Sequence, residues 1–111
     1  LWSEQLGVTS SNPKNCEVRA IYVDINNNIY ITGHTNANFD GNQRIDSREE
    51  TDIIVAKFDK NGNKLWSKQF GSVGYDEGKD ITITKWGSSL VLGSVYSNVS
   101  VYKFDEAGNL K

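Results

Sequence analysis

Residues 1–7 read LWSEQLG and residues 65–71 read LWSKQFG, so the two stretches differ at only two positions. A second pair follows in the same order, because KFDKNGNK at residues 57–64 returns as KFDEAGNL at residues 103–110. Self-similarity of this kind indicates an internal repeat, and a repeat constrains the architecture of a chain more strongly than any single residue.

Each copy of the repeat divides into short strands separated by turn residues. The dipeptide Asn61-Gly62 is a strong hairpin signal, and IIVA at residues 53–56 is typical of a strand buried on both faces. The predicted strands are residues 19–25, 29–35, 52–59 and 64–71 in the first copy, and residues 79–86, 90–96 and 99–105 in the second. Four antiparallel strands in a unit of roughly 40–50 residues are typical of propeller blades. The sequence therefore predicts an all-β chain of two four-stranded antiparallel β-propeller blades, part of a larger or oligomeric propeller.

The predicted boundary between the two blades falls after residue 71. Residues 8–71 form the first blade and residues 72–111 the second, which lacks a fourth strand of its own. Residues 1–7 are predicted to be a fourth strand that completes a preceding or neighbouring blade. Because blades bury their faces against one another, we expect the chain to pair with further blades, in cis or by homo-oligomerisation. Roughly three or four copies would close a ring of about six or eight blades.

Composition and charge exclude several classes of partner. The 111 residues carry a formal net charge of −2, with acidic and basic side chains interleaved, whereas nucleic acid requires a basic surface. No apolar run approaches the roughly 20 residues that span a bilayer, so no membrane span is expected. Cys16 is the only cysteine, which rules out an internal disulfide and leaves a tolerated loop thiol or a cross-linking role.

Several stretches together resemble one known repeat. They are WSKQFG at residues 66–71, IYITG at residues 29–33, NFDG at residues 38–41 and DIIVAKFDKNGN at residues 52–63. In this combination the chain is similar to the bacterial seven-bladed β-propeller repeat family, of the SBBP type. The resemblance implies an extracellular or envelope-associated bacterial protein. It implies no particular chemistry, because propellers carry many functions.

The longer loops are predicted to lie together on one face of the propeller, at residues 8–18, 34–51 and 72–78. Binding sites concentrate on loops that a rigid scaffold holds in place. The candidate ligand-binding residues are His34, Asp40, Asn42, Asp46, Glu49, Tyr75 and Trp86. Tyr75 and Trp86 are included because they break the repeat. Trp2 and Trp66 recur in phase, and we expect them to pack between blades.

No cofactor is expected, with calcium as the alternative. Asp40, Asn42, Asp46 and Glu49 place oxygen ligands at spaced positions, which suits calcium. Against this, the glycine of the loop falls too early and Arg44 occupies a ligand position. We therefore expect a solvated polar loop, and we expect the Asp- and Asn-rich hairpin turns to cap their own backbone rather than to bind metal.

Three functions remain open from the sequence. The first is a structural and interaction module that binds protein or glycan through the long-loop face. The second is part of an enzyme whose site forms at the central channel from several blades, although no catalytic residue can be named. Ionisable neighbours of Asp24, Lys79 or Asp80 with perturbed pKa values would favour the enzyme. The third is a purely architectural unit that forms a ring.

Overall fold

The computed structural model describes residues 3, 8–9, 16–39, 42, 50–95 and 98–111. Within them the chain forms strands β1 (Val8–Thr9), β2 (Cys16–Val23), β3 (Ile29–Thr35), β4 (Asn38–Phe39), β5 (Asp52–Phe58), β6 (Lys64–Phe70), β7 (Glu77–Ile83), β8 (Ser89–Val95) and β9 (Asn98–Phe104). None of these residues belongs to a helix that could cross a membrane.

The strands form two main sheets in which neighbours in sequence are neighbours in space. The first sheet has the order β2–β3–β5–β6, and the second sheet has the order β7–β8–β9. Strands β1 and β4 form a separate pair. Every pairing is antiparallel, so the all-β antiparallel architecture predicted from the sequence is confirmed.

Observed strand boundaries agree with the predicted ones to within a few residues. Strand β3 matches its prediction, whereas β2 and β7 begin earlier, at Cys16 and Glu77, and end earlier, at Val23 and Ile83. Strand β4, inside the predicted long loop, was not expected. Apart from Ser3, residues 1–7 lie outside the described residues, so the strand predicted there and the division into blades stay predictions.

Four turns with one repeated geometry set the strand ends. In the first, Asp24 N donates to Asn28 O at 3.0 Å and Asn27 N donates to Asp24 O at 3.0 Å. The carboxylate of Asp24 also accepts bonds from the backbone N–H groups of Asn26 and Asn28, as expected of a self-capping turn. The fourth residue of each turn has a positive φ, which favours glycine or asparagine; these residues are Asn27, Gly62, Gly87 and Gly108.

A hydrophobic core fills the space between the two sheets. In this contact, one face of the first sheet, which we term its forward face, packs against the opposite face of the second sheet, which we term its rear face. The buried residues of the core are Tyr30, Ile53 and Val55 from the forward face, and Ile81, Val91 and Phe104 from the rear face. Burial of these side chains is the main favourable term that holds the sheets together.

Trp66 of β6 reaches across to the second sheet. Its indole Nε1 donates to the backbone oxygen of Glu106 at 3.0 Å, and its ring stacks on Phe104 with centroids 6.0 Å apart. The predicted role of Trp66 in packing between repeats is therefore confirmed. Trp2 lies outside the described residues.

Candidate functional site at the loop end of the first strand of each sheet

The first strand of each sheet, β2 or β7, carries a bulge at the same point of the repeat. The extra residue is Arg19 in β2 and Lys79 in β7, because the register shifts on either side of these residues. Two positions earlier stand Glu17 and Glu77. A bulge redirects the side chain of the extra residue and often occurs next to functional sites. Each sheet therefore carries one acidic and one basic side chain at equivalent positions of the repeat.

Ion pairs join these side chains within each strand. Arg19 Nη2 lies 3.1 Å from Glu17 Oε2, and Lys79 Nζ donates a hydrogen bond to Glu77 Oε2. His34, which pairs with Glu17 across β2 and β3, places its Nε2 3.7 Å from Glu17 Oε2. The imidazole is buried, and its Nδ1 has no hydrogen-bond partner in the described part of the chain.

A close approach of the two sheets brings Glu77 towards His34. A Cβ added to Gly78 would lie 2.2 Å from Thr32 Oγ1 and 2.9 Å from Gly33 O, so only glycine lets β7 come this near to β3. The resulting cluster, which we term the charged cluster, contains Glu17, Arg19, His34, Glu77 and Lys79. It lies at the ends of the strands that face the long loops.

The pKa of Glu77 lies below its ordinary value of 4.5. The hydrogen bond from Lys79 is the main cause, and the positive charges of His34, Lys79 and Arg19 act in the same direction against the opposing effect of burial. A lowered carboxyl pKa is the behaviour of an ion pair. A general acid or base needs a pKa near the working pH, so Glu77 is not suited to that role near neutral pH. The perturbed pKa beside Lys79, which would favour an enzyme if it came from a catalytic group, is here accounted for by the ion pair.

Replacing Glu77 with glutamine is expected to make the free energy of unfolding depend less on pH in the acidic range. Because folding lowers the pKa of Glu77, its ionised form stabilises the fold above about pH 4.5 and this contribution disappears as the pH falls through the lower folded value. The pair is largely solvated, so we expect an effect of about 0.5 kcal/mol. Urea unfolding midpoints between about pH 6 and pH 3 measure it. Lys79→Met should flatten the profile in the same way, and an unchanged slope in both variants would contradict the assignment.

Tyr75 lies near the charged cluster on the loop that joins the two sheets. Its side chain is exposed. The next residue, Asp76, is fully buried and accepts hydrogen bonds from the backbone N–H and the hydroxyl of Ser72. Thr51 fastens the same loop, because its hydroxyl donates to Asp76 O at 2.9 Å and its carbonyl accepts from Asp76 N at 2.8 Å. Tyr75 is thus presented by a loop that buried hydrogen bonds hold in place, a feature that the sequence analysis missed.

Asn42 has a structural role. Its amide donates to Phe39 O at 3.0 Å and to Ser67 Oγ at 3.0 Å, while Phe39 N donates to Gln69 Oε1 at 2.8 Å. These bonds fasten the segment after β3 to strand β6, away from the charged cluster. Asp40, Asp46 and Glu49 lie outside the described residues, so the predicted calcium alternative stays a prediction. Among the residues that are described, no group of three acidic, histidine or cysteine side chains could hold a metal ion.

Trp86 lies at the other end of the sheets from His34. The sequence predicts Trp86 at the end of a strand, whereas β7 ends at Ile83 and Trp86 belongs to the turn between β7 and β8. The ammonium group of Lys85 lies 4.6 Å from the centroid of its ring. Of the candidate residues that the structure describes, His34 and Tyr75 lie at the loop end and Trp86 lies at the turn end.

The comparison with protein families agrees with the repeat. Residues 1–40 match the family model described as a beta-propeller repeat, SBBP, and the resemblance predicted from the sequence is confirmed. No curated protein matches the chain.

Proposed function

We propose that this chain, which carries a β-propeller repeat of the SBBP family, is a structural and interaction module of a larger propeller in which each sheet is one blade. The module acts at a bacterial surface or outside the cell, and it binds a protein or glycan ligand without a covalent step. One observation carries the proposal. Side chains at equivalent positions of the two sheets are buried in one sheet and exposed in the other.

The forward faces of the two sheets illustrate this difference. Strands β5 and β9 align through the sequence KFD that each repeat shares. Ile53 and Val55 of β5 are 0% exposed, because they pack against the second sheet. Their counterparts in β9, Val99 and Val101, are 79% and 64% exposed. The second sheet therefore displays the same kind of face that the first sheet buries.

The rear faces differ in the opposite sense. Ile81 of β7 is 4% exposed against the first sheet, whereas its counterpart Ile21 in β2 is 66% exposed. Val23, two residues further along β2, is also exposed. On this rear face the exposure decreases across the sheet, from β2 through the half-buried Ile31 of β3 to Ile54 of β5, which is fully buried.

A further copy of the repeat would cover each exposed face in the way that the two sheets already cover each other. Exposed apolar side chains on adjacent strands mark interaction surfaces, and repeat units bury their faces against neighbours. The contact is head to tail, forward face on rear face. A contact of this kind is heterologous and continues until the ring closes or the chain of units ends.

Lysine on either exposed face is expected to weaken association of the protein with itself. We expect Val101→Lys on the forward face and Ile21→Lys on the rear face each to raise the apparent dissociation constant at least about tenfold, because a charge would be buried without a partner. Sedimentation velocity over a concentration series measures the change. Lys60→Asp in an exposed turn serves as a charge-changing control.

Mixing the two variants provides a sharper test. A heterologous contact needs one intact face from each partner, so Val101→Lys and Ile21→Lys should form one-to-one dimers together although each is defective alone. Mixtures that associate no better than the single variants would contradict the head-to-tail contact, and lack of association in the unaltered protein would favour further blades in cis over homo-oligomerisation.

The loop end supports ligand binding in the same module. The charged cluster and Tyr75 bring hydrogen-bond donors, acceptors and an exposed aromatic ring to one end of a rigid scaffold. The ion pair of Glu77 with Lys79 holds these groups in place, and the lowered pKa of Glu77 keeps its carboxylate charged. Such groups suit recognition by shape and hydrogen bonding.

A further inference from the structure

A cleft of about 550 Å³ lies between the two sheets at the turn end, opposite the charged cluster. It separates the turn after β2 from the turn after β7. Its lining includes Tyr22, Asn26, Ile83, Lys85, Trp86 and Glu106. The volume and the mixture of aromatic, aliphatic and polar groups are typical of a small-ligand site.

The turn itself does not need Trp86. The same position is occupied by Asn26, Asn61 and Ala107 in the three other turns, which have the same backbone hydrogen bonds. The indole does not contribute to the core either, since Trp86 is 75% exposed. A large aromatic side chain that neither packs in the core nor shapes its turn is a candidate for ligand contact.

Two charged side chains lie beside this turn. The ammonium group of Lys85, 4.6 Å from the ring centroid, makes a cation–π contact that orients the ring. The carboxylate of Glu106 lies against the neighbouring backbone, because a Cβ on Gly87 would come within 2.3 Å of Glu106 Oε1. The backbone of Glu106 is held in turn by the bond from Trp66 Nε1 to its carbonyl.

The cleft has no excess of positive charge. The carboxylate of Asp24 already accepts bonds from Asn26 N, Asn28 N, Asn28 Nδ2 and Tyr30 Oη, so it is committed to its own turn. Asp24 keeps its negative charge, so Asp24 and Glu106 together exceed Lys85 by one negative charge. A phosphate or nucleic-acid backbone would require an excess of positive charge, so an uncharged ligand with hydroxyl groups suits the cleft better than an anion.

We propose that the cleft binds a neutral saccharide unit. The apolar C–H face of the sugar ring stacks on the Trp86 indole, and its hydroxyl groups bond to the Glu106 carboxylate, the Lys85 ammonium and the Asn26 amide. This site lies at the opposite end of the sheets from the ligand surface proposed above, and it does not depend on that proposal.

Titration calorimetry of the protein with cellotetraose and with triacetylchitotriose tests the inference. We expect measurable binding of at least one of these neutral oligosaccharides, weakened about tenfold or more by Trp86→Ala, in line with the large effects of tryptophan contacts. Trp86→Tyr keeps an aromatic face and should retain most of the affinity. Glu106→Gln should weaken binding, and Asn61→Ala, at the equivalent position of another turn, should leave it unchanged.

Circular dichroism and urea midpoints of each variant separate lost binding from lost folding. Two outcomes would overturn the inference: no heat of binding with either oligosaccharide up to its solubility limit, or equal affinity in the unaltered protein and Trp86→Ala. Selection of peptides from a displayed library, without binding of either sugar, would also overturn it and assign the cleft to protein.

Discussion

Alanine in place of Gly33 is expected to prevent the first sheet from pairing normally, whereas alanine in place of Gly93 is expected to be tolerated. The two glycines occupy the same position of the repeat, in β3 and β8. A Cβ on Gly33 would lie 1.8 Å from the backbone oxygen of Glu17 and 2.9 Å from Val18 Cα. These atoms belong to the paired strand β2, so β2 would have to move and lose ladder hydrogen bonds.

The atoms around Gly93 can move more easily than those around Gly33. A Cβ there would meet Ile53 Cδ1 at 2.7 Å, and the nearest backbone atom, Glu77 O, is 3.4 Å away. The end of an isoleucine side chain can shift at a cost of about 1 kcal/mol, whereas displacing a paired strand costs about 3 kcal/mol or more. Neither glycine has a positive φ, so the difference arises from contacts alone.

Urea unfolding followed by circular dichroism measures both variants against the unaltered protein at one protein concentration. We expect Gly33→Ala to lower the midpoint strongly or to abolish the cooperative transition, and Gly93→Ala to lower it slightly. Equal losses in the two variants would show that β2 does not lie over Gly33 as described.

Local sequence signals predicted the turns and strands well. The fourth residue of each turn accepts a positive φ, as Gly62 and Gly108 do, and the carboxylates that begin three of the four turns cap their own backbone. These interactions join residues at most four positions apart, so a single sequence contains all the information. The same rule applied to Gly87, which stands where Gly62 and Gly108 stand, would have placed Trp86 in a turn and not at the end of a strand.

The charged cluster could not be derived from strand alternation. Strict alternation assigns Arg19 and Lys79 to regular strand positions, and it has no means to foresee a bulge. A signal was present nevertheless, since Glu17-x-Arg19 recurs as Glu77-x-Lys79 at the same place in the repeat. The burial of His34 depends on contacts between strands far apart in sequence, which no local pattern contains.

The hydrogen bonds within the loops could not be predicted from the sequence either. Asp76 is buried and bonded to Ser72, and Thr51 closes the same loop from another part of the chain. Long loops rely on such individual bonds, and prediction from sequence is weakest there.

Alanine substitution at equivalent positions of β5 and β9 is expected to separate folding from assembly. Ile53 is fully buried in the core between the sheets, so Ile53→Ala should cost about 2–5 kcal/mol of unfolding free energy. Val99, its counterpart, is largely exposed, so Val99→Ala should change the stability of the dilute protein by about 0.5 kcal/mol or less.

When association is measured, Val99→Ala should have the larger effect of the two variants and Ile53→Ala the smaller. Val99 lies on the forward face of the second sheet, the face that another copy of the repeat would cover, and its truncation removes apolar area from that contact. Dilute-solution urea unfolding reports the folding cost, and sedimentation at rising concentration reports the association cost. If Val99→Ala destabilised the dilute protein as much as Ile53→Ala, its side chain would already be buried within the chain, and the exposed forward face could not be the surface that receives the next blade.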